Sequence, residues 1–154
     1  PNDVHFEGLT QLHPCVMLHP AHRMAQQPDV SLLDLADDPM VLLDLPLSRD
    51  YFLSTFRSIG ATPNIADRTN DPPVARSLVA NGFGYSLVNI GTDITYAPDG
   101  QPLVILPIRD DVGSVTLGLA TKQVTNQSAV VRAFIDHVAQ EIETNGLPAT
   151  TSAN

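Results

Sequence analysis

The stretch LPLSRDYF, residues 45–52, sets a proline, a hydroxyl and a guanidinium side by side where an apolar run passes into a helix. The first N–H groups of a helix have no partner within it, and the aligned peptide dipoles add partial positive charge there. Leu47, Ser48 and Arg49 therefore suit two purposes. Ser48 can cap the helix, or the free N–H groups, hydroxyl and guanidinium can together hold a carboxylate. Spacing alone leaves both open.

Other groups with chemical potential form no set. His19 and His22 stand three apart, a spacing that can chelate a metal on a helix, but Pro20 lies between them and no Cys or carboxylate completes the ligands. No serine sits in a Gly-x-Ser-x-Gly elbow. Gly82-x-Gly84 precedes a strand, whereas a phosphate loop opens a helix, so the pair reads as a helix stop. Asp37 and Asp38 read as solvated loop charge, and no acid–base pair stands out. No enzyme, no metal site and no cofactor are expected. The single cysteine, Cys15, excludes an internal disulfide, fits a reducing compartment and, within PCVML, reads as a buried inert thiol.

The elements that must carry these groups alternate between short apolar runs and helical periods. CVMLHP (15–20) reads as a strand closed by Pro20, and DVSLLDLADD (29–38) as a short helix with Ser31 and Asp34 at capping-box spacing. MVLLDL (40–45) is a buried strand. From Ser48, the residues Phe52, Phe56 and Ile59 recur at helical spacing until Gly60 ends the helix. NIADRT (64–69) is a strand, PPVARSLVANG (72–82) a helix with Val74 and Leu78 on one face, and YSLVNI (85–90) a strand. Short links between alternating strands and helices predict a parallel sheet with crossover helices. PLVILPI (102–108) and VGSVTLGLATK (112–122) add strands, and residues 126–143 form a helix with Val131, Phe134, Ile135, Val138 and Ile142 on one face. The first fourteen residues carry too little pattern to complete a sheet, so that last apolar face has no evident partner within residues 1–125.

Charge limits the partners. Eight Lys and Arg against seventeen Asp and Glu give a formal net charge of −9, with one lysine and scattered arginines, so this chain should not bind nucleic acid. No apolar run approaches the ~20 residues of a membrane span, and no signal peptide opens the chain. Starting at Pro1 without a methionine, it reads as a piece of a longer protein.

HPAHRMA (19–25), SLLDLADDP (31–39), LPLSRDYF (45–52) and LVANGFGYSLVN (78–89), in that order, resemble the effector-binding domain of LysR-type transcriptional regulators. The resemblance implies an α/β fold like a type 2 periplasmic binding protein: two lobes joined by two crossing strands, with the effector between them. It places hinge strands near 15–20 and 115–121, a complete second lobe at 21–111, and at 126–143 a helix returning to an incomplete first lobe. The winged helix-turn-helix that such regulators use on DNA is absent from this chain. The implied function is sensing of a small, anionic effector, a carboxylate above all, by a cytoplasmic regulator that works as a homodimer or higher homo-oligomer and has no business at a membrane. By the same resemblance Leu47, Ser48 and Arg49 contact the effector, and Asn70 and Asp71, at the next strand-to-helix junction, face the same crevice. NDPPVAR (70–76) departs from the more usual acidic, non-proline start of that helix, so the effector's identity does not carry over. The alternative is a free-standing solute-binding protein of related fold.

Overall fold

A computed structural model describes residues 4–89, 94–122 and 128–147. Its elements run β1 (Val4–Leu12), β2 (Cys15–Leu18), α1 (Leu32–Leu35), β3 (Pro39–Leu43), α2 (Pro46–Ser58), β4 (Asn64–Thr69), α3 (Pro72–Ala80), β5 (Ser86–Val88), β6 (Val104–Pro107), β7 (Val115–Lys122) and α4 (Ala129–Asn145).

Two ladders form the main sheet. β3 and β4 pair in parallel across the α2 crossover, and β5, β2 and β6 pair in that order, antiparallel. A parallel bridge between Met40 and Tyr85 joins them, with Val41 N donating to Tyr85 O at 2.7 Å and Tyr85 N to Pro39 O at 2.9 Å. Gly84 makes this join possible: its φ is +151°, and a Cβ there would collide with the Pro39 carbonyl. The resulting strand order is β4-β3-β5-β2-β6. The expected parallel arrangement thus holds at β3, but β2 runs against both its neighbours. Apolar periodicity reports that a strand is buried, not which way it runs.

Alternation along the strands divides the core between the two faces of the sheet. Val16, Leu18, Met40 and Leu42 point to the side covered by α1 and α2, where Leu35, Phe52 and Phe56 pack with Tyr85. Met17 and Val41 point to the other side, under Ala75, Val79 and Ala80 of α3. α3 therefore seats Ala75 and Val79 where Val74 and Leu78 were expected, and Val74 is 45% exposed. Alanines on the inner face let the helix lie close on the strands, while Leu78 packs at the edge of this cluster and Val74 turns outward.

Residues 4–12 correct the reading of a patternless start. They form β1, which pairs antiparallel with β7 from Val4–Lys122 to Leu12–Val115. This ribbon is mostly exposed, so its sequence lacks the alternation a half-buried strand would show. The strands within 15–20 and 115–121, expected as hinge strands, fall in different sheets: β2 between β5 and β6 in the main sheet, β7 in the ribbon. α4 packs on β1, capped by Ser128 and burying Ile135, with Val138 and Ile142 part-buried. Val131 and Phe134 of its expected inner face are 39% and 59% exposed. Residues 126 and 127 of the expected helix lie outside the described residues.

Candidate functional site

The parallel strand β3 delivers the chain to the start of α2, and β4 delivers it to the start of α3, at the same end of the sheet. The two helix starts differ in what they leave free. α3 is closed. Pro72 and Pro73 have no N–H, the Asp71 carboxylate accepts from Val74 N at 3.3 Å, and Ala75 N bonds back to Asp71 O at 3.0 Å.

α2 is open. Its N-cap is Leu45, which has no polar side chain, and Pro46 occupies the first turn. The first helical bond runs from Arg49 N to Leu45 O at 2.7 Å, so the N–H groups of Leu47 and Ser48 have no acceptor in the helix. Ser48 does not cap, contrary to one of the two readings of its position. The helix begins two residues sooner because Pro46 has its φ fixed at a helical value.

Beside this open terminus lies a cavity of about 320 Å³. Met17, Leu43, Phe52, Leu87 and Val88 give it apolar walls, and Ser48, Arg76, Ser86 and Asn89 supply the polar groups. Of the residues singled out from sequence, the structure brings Ser48 alone to this lining. The Leu47 side chain is 89% exposed. Arg49 turns away to Asp44 at 3.1 Å and Asp50 at 3.2 Å, and these carboxylates, Asp50 first, push its pKa up. Asp44 also meets Arg68 at 3.4 Å. Asn70 is exposed, and Asp71 is occupied as the α3 cap.

Arg76 and Asn89 are the groups that sequence reasoning missed. Arg76, a turn into α3, donates through Nη2 to the carbonyls of Ile94 at 2.5 Å and Tyr96 at 2.9 Å. No carboxylate faces it among the described residues, whereas Arg23, Arg49, Arg68 and Arg109 each hold an aspartate. Partial burial lowers its pKa, since the cation gives up hydration without gaining an anion. Asn89 Oδ1 is buried and accepts no hydrogen bond. A lone arginine among Val74, Ala75 and Leu78 was the available signal for Arg76; nothing in the chain pointed to Asn89 before the β2–β5 pairing was known.

The histidines do something else. His22 Nε2 lies 3.2 Å from Asp38 Oδ2, which Arg23 also reaches at 2.9 Å, and no cluster of three or more metal-ligating side chains occurs among the described residues. Cys15 is part-buried, with its thiol pKa pushed up by burial, so it stays protonated and unreactive.

A family model described as the LysR substrate binding domain matches residues 1–143. The chain is similar to the HTH-type transcriptional regulator ShiR of Corynebacterium glutamicum (strain R), 33% identical over 109 residues, which is 69% of this chain and 36% of ShiR. Among solved structures it resembles HinK, a LysR family transcriptional regulator from Pseudomonas aeruginosa, with a TM-score of 0.84 and 32% identity over 92% of this chain and 50% of that one. It also resembles the C-terminal domain of a probable LysR family transcriptional regulator from Rhodococcus sp. RHA1, with a TM-score of 0.79 and 34% identity over 90% of this chain and 68% of that one. The chain thus spans 36% of the length of ShiR and 50% of that of HinK. The mixed α/β architecture is the periplasmic-binding-protein-like fold of LysR effector-binding domains. With a family model covering all but its last residues, the chain belongs to the LysR substrate binding domain family.

Proposed function

We propose that this chain is the effector-sensing part of a cytoplasmic LysR-type regulator and that its effector is a small carboxylate bound in the cavity between α2, α3, β2 and β5. The observation that carries this reading is Arg76, a half-buried cation that faces no carboxylate among the described residues, sharing an apolar-walled cavity with the open N-terminus of α2. The Ser48 hydroxyl and the N–H groups of Leu47 and Ser48 supply further donors, so charge and hydrogen bonds are both matched to an oxyanion. Arg49 adds positive field at the rim while it holds Asp44, and Asn70 and Asp71 form the edge of the crevice. Two domains of the same fold carry carboxylates: that of QuiR is in complex with shikimate and that of BenM with benzoate. The site has no nucleophile–base pair and turns nothing over; it reports occupancy.

In this reading the ligand biases the relative stability of two arrangements of the regulator, by no more than its difference in affinity for them. DNA contact belongs to a helix-turn-helix outside this chain, and the regulator acts as a homodimer or higher homo-oligomer. The test is calorimetric titration of small carboxylates into the full chain and into Arg76→Met. A charged hydrogen bond contributes roughly 1.5–3 kcal/mol, so the variant should bind a carboxylate about tenfold or more weakly. Arg76→Lys, which keeps the charge, should fall between. Equal affinity in all three would remove the carboxylate from this cavity.

A further inference from the structure

The ribbon of β1 and β7, with α4 packed on it, joins the main sheet through two stretches of chain, residues 13–14 and 108–114. No ladder or bridge among the described residues runs between ribbon and sheet. How the ribbon stands on the sheet therefore depends on where each stretch is held. The first is short. Leu12 still pairs with Val115 in the ribbon, and Cys15 already pairs with Val88 and Pro107 in the sheet. His13 and Pro14 lie between them, and the proline ring fixes one φ.

The second stretch is longer, but it is fastened to the main-sheet side almost to its end. Arg109 N donates to Val30 O at 2.9 Å, and the Asp110 carboxylate accepts from Ser31 Oγ at 2.8 Å and Leu32 N at 2.7 Å. Val112 packs on the same apolar core as Tyr51. The last tie is the Tyr51 hydroxyl of α2, which donates to Gly113 O at 2.7 Å. Ser114 already belongs to the ribbon, its Oγ donating to Gln11 Oε1 at 2.9 Å. The handover from sheet to ribbon thus falls between Gly113 and Ser114. A Cβ at 113 would meet nothing within 4 Å, so crowding does not demand glycine there. What glycine supplies is rotational freedom at the point of handover.

We infer that Tyr51 is a latch: by holding Gly113 it lets α2 set the angle at which the ribbon and α4 stand on the main sheet. Burial, and after it Cys15, push the Tyr51 pKa up, so the hydroxyl keeps the proton it donates. Tyr51 stands one turn after Ser48, on neighbouring positions of the same helix. α2 therefore has the cavity at its start and the latch a turn further on, and a displacement of that start carries Tyr51 with it. The latch is independent of the carboxylate reading, which supplies only the force that moves it.

The test needs no ligand. Residual dipolar couplings of the weakly aligned full chain should fit one alignment tensor for the main sheet and the ribbon together. Tyr51→Phe keeps the ring and removes the donor. In it the two parts should require separate tensors, and amides of residues 111–116 should exchange about three- to tenfold faster while those of β3 and β5 are unchanged. Gly113→Ala, for which the backbone has room, restricts the released residue, so adding it to Tyr51→Phe should bring the joint fit part of the way back. Separate tensors in the unaltered chain would overturn the latch, as would one tensor and unchanged exchange in Tyr51→Phe. Exchange that rises equally in β3, β5 and residues 111–116 would also overturn it, since Tyr51 would then act on stability alone.

Discussion

Arg49 and Arg76 carry the same charge and are separated by what faces them. Arg49 is bracketed by Asp44 and Asp50, so its field is largely neutralised at short range, and its salt bridges are exposed to solvent. Arg76 has two carbonyls and, among the described residues, no anion. The same contrast between satisfied and unsatisfied groups applies to Tyr85, whose hydroxyl is buried without a partner and whose ring packs 6.5 Å from that of Phe56. Burial, and after it the charge of Asp38, hold the Tyr85 phenol well above its ordinary pKa. A group harder to ionise when folded retains its proton while the unfolded chain has lost it. Its stabilising contribution is therefore full below the unfolded value of about 10 and is lost as pH rises beyond it. Cys15 and Tyr51, both shifted up by burial, act in the same direction. Tyr85→Phe removes both the ionisation and the orphaned hydroxyl. It should be about 1 kcal/mol more stable at neutral pH and lose stability less steeply above pH ~10. Urea unfolding at pH 7.5 and 10.5 measures both, and parallel losses for the two proteins would mean that the phenol titrates alike in the folded and unfolded chain.

Two helices that start at the same end of the sheet offer a direct comparison of capping with binding. α3 spends Asp71 and two prolines on its own terminus, whereas α2 begins at an apolar cap and leaves the Leu47 and Ser48 amides unpaired. Asp71→Ala should therefore cost about 1 kcal/mol of stability with little change in carboxylate affinity. Ser48→Ala should do the reverse, holding the melting temperature and weakening the ligand. Thermal melts paired with titrations separate the two roles, and a large loss of stability in Ser48→Ala would restore it as a cap. Much of this was legible in the chain. Pro39, Gly60, Pro72 and Gly82 punctuate the run from β3 to β5, and buried residues recur at the spacing each element requires. Ser48 was readable as a site residue because a helix start has known unmet donors. The rest depended on pairing. Arg76 and Asn89 meet Met17 only because β2 inserts between β5 and β6, and no local period encodes that choice of neighbour. β1 escaped notice for the opposite reason: held in an exposed two-stranded ribbon, it has no buried face to impose alternation.

At the scale of the whole molecule, the net charge of −9 and the apolar surface act on different partners. An excess of carboxylates opposes the phosphate contacts that give DNA binding its affinity. The main sheet is covered on both faces by its own helices. α4 is not so enclosed. It lies on β1 and buries Ile135, yet Val130 is 79% exposed and Phe134 is 59% exposed, beside a ribbon on which Val4 and Phe6 are 54% and 55% exposed. Scattered apolar residues are ordinary at a surface, but these sit on one helix and the strand it packs on, and exposed apolar groups concentrated in this way mark an interface. Gly118 makes room for the Phe6 ring on the ribbon, since a Cβ there would strike both that ring and the Glu7 carbonyl. The ribbon and α4 are thus expected to form the contact between copies. Removing a large aromatic group from the middle of such a contact and adding charge costs far more than it would on open surface. Phe134→Glu should therefore leave the thermal unfolding of the main sheet unchanged while shifting sedimentation velocity profiles, over a tenfold concentration range, from a self-associating species to a monomer. Val74→Glu, on the outward face of α3, is the matched control and should keep the association. A chain that sediments as a monomer throughout, before and after substitution, would assign the α4 face to a different partner.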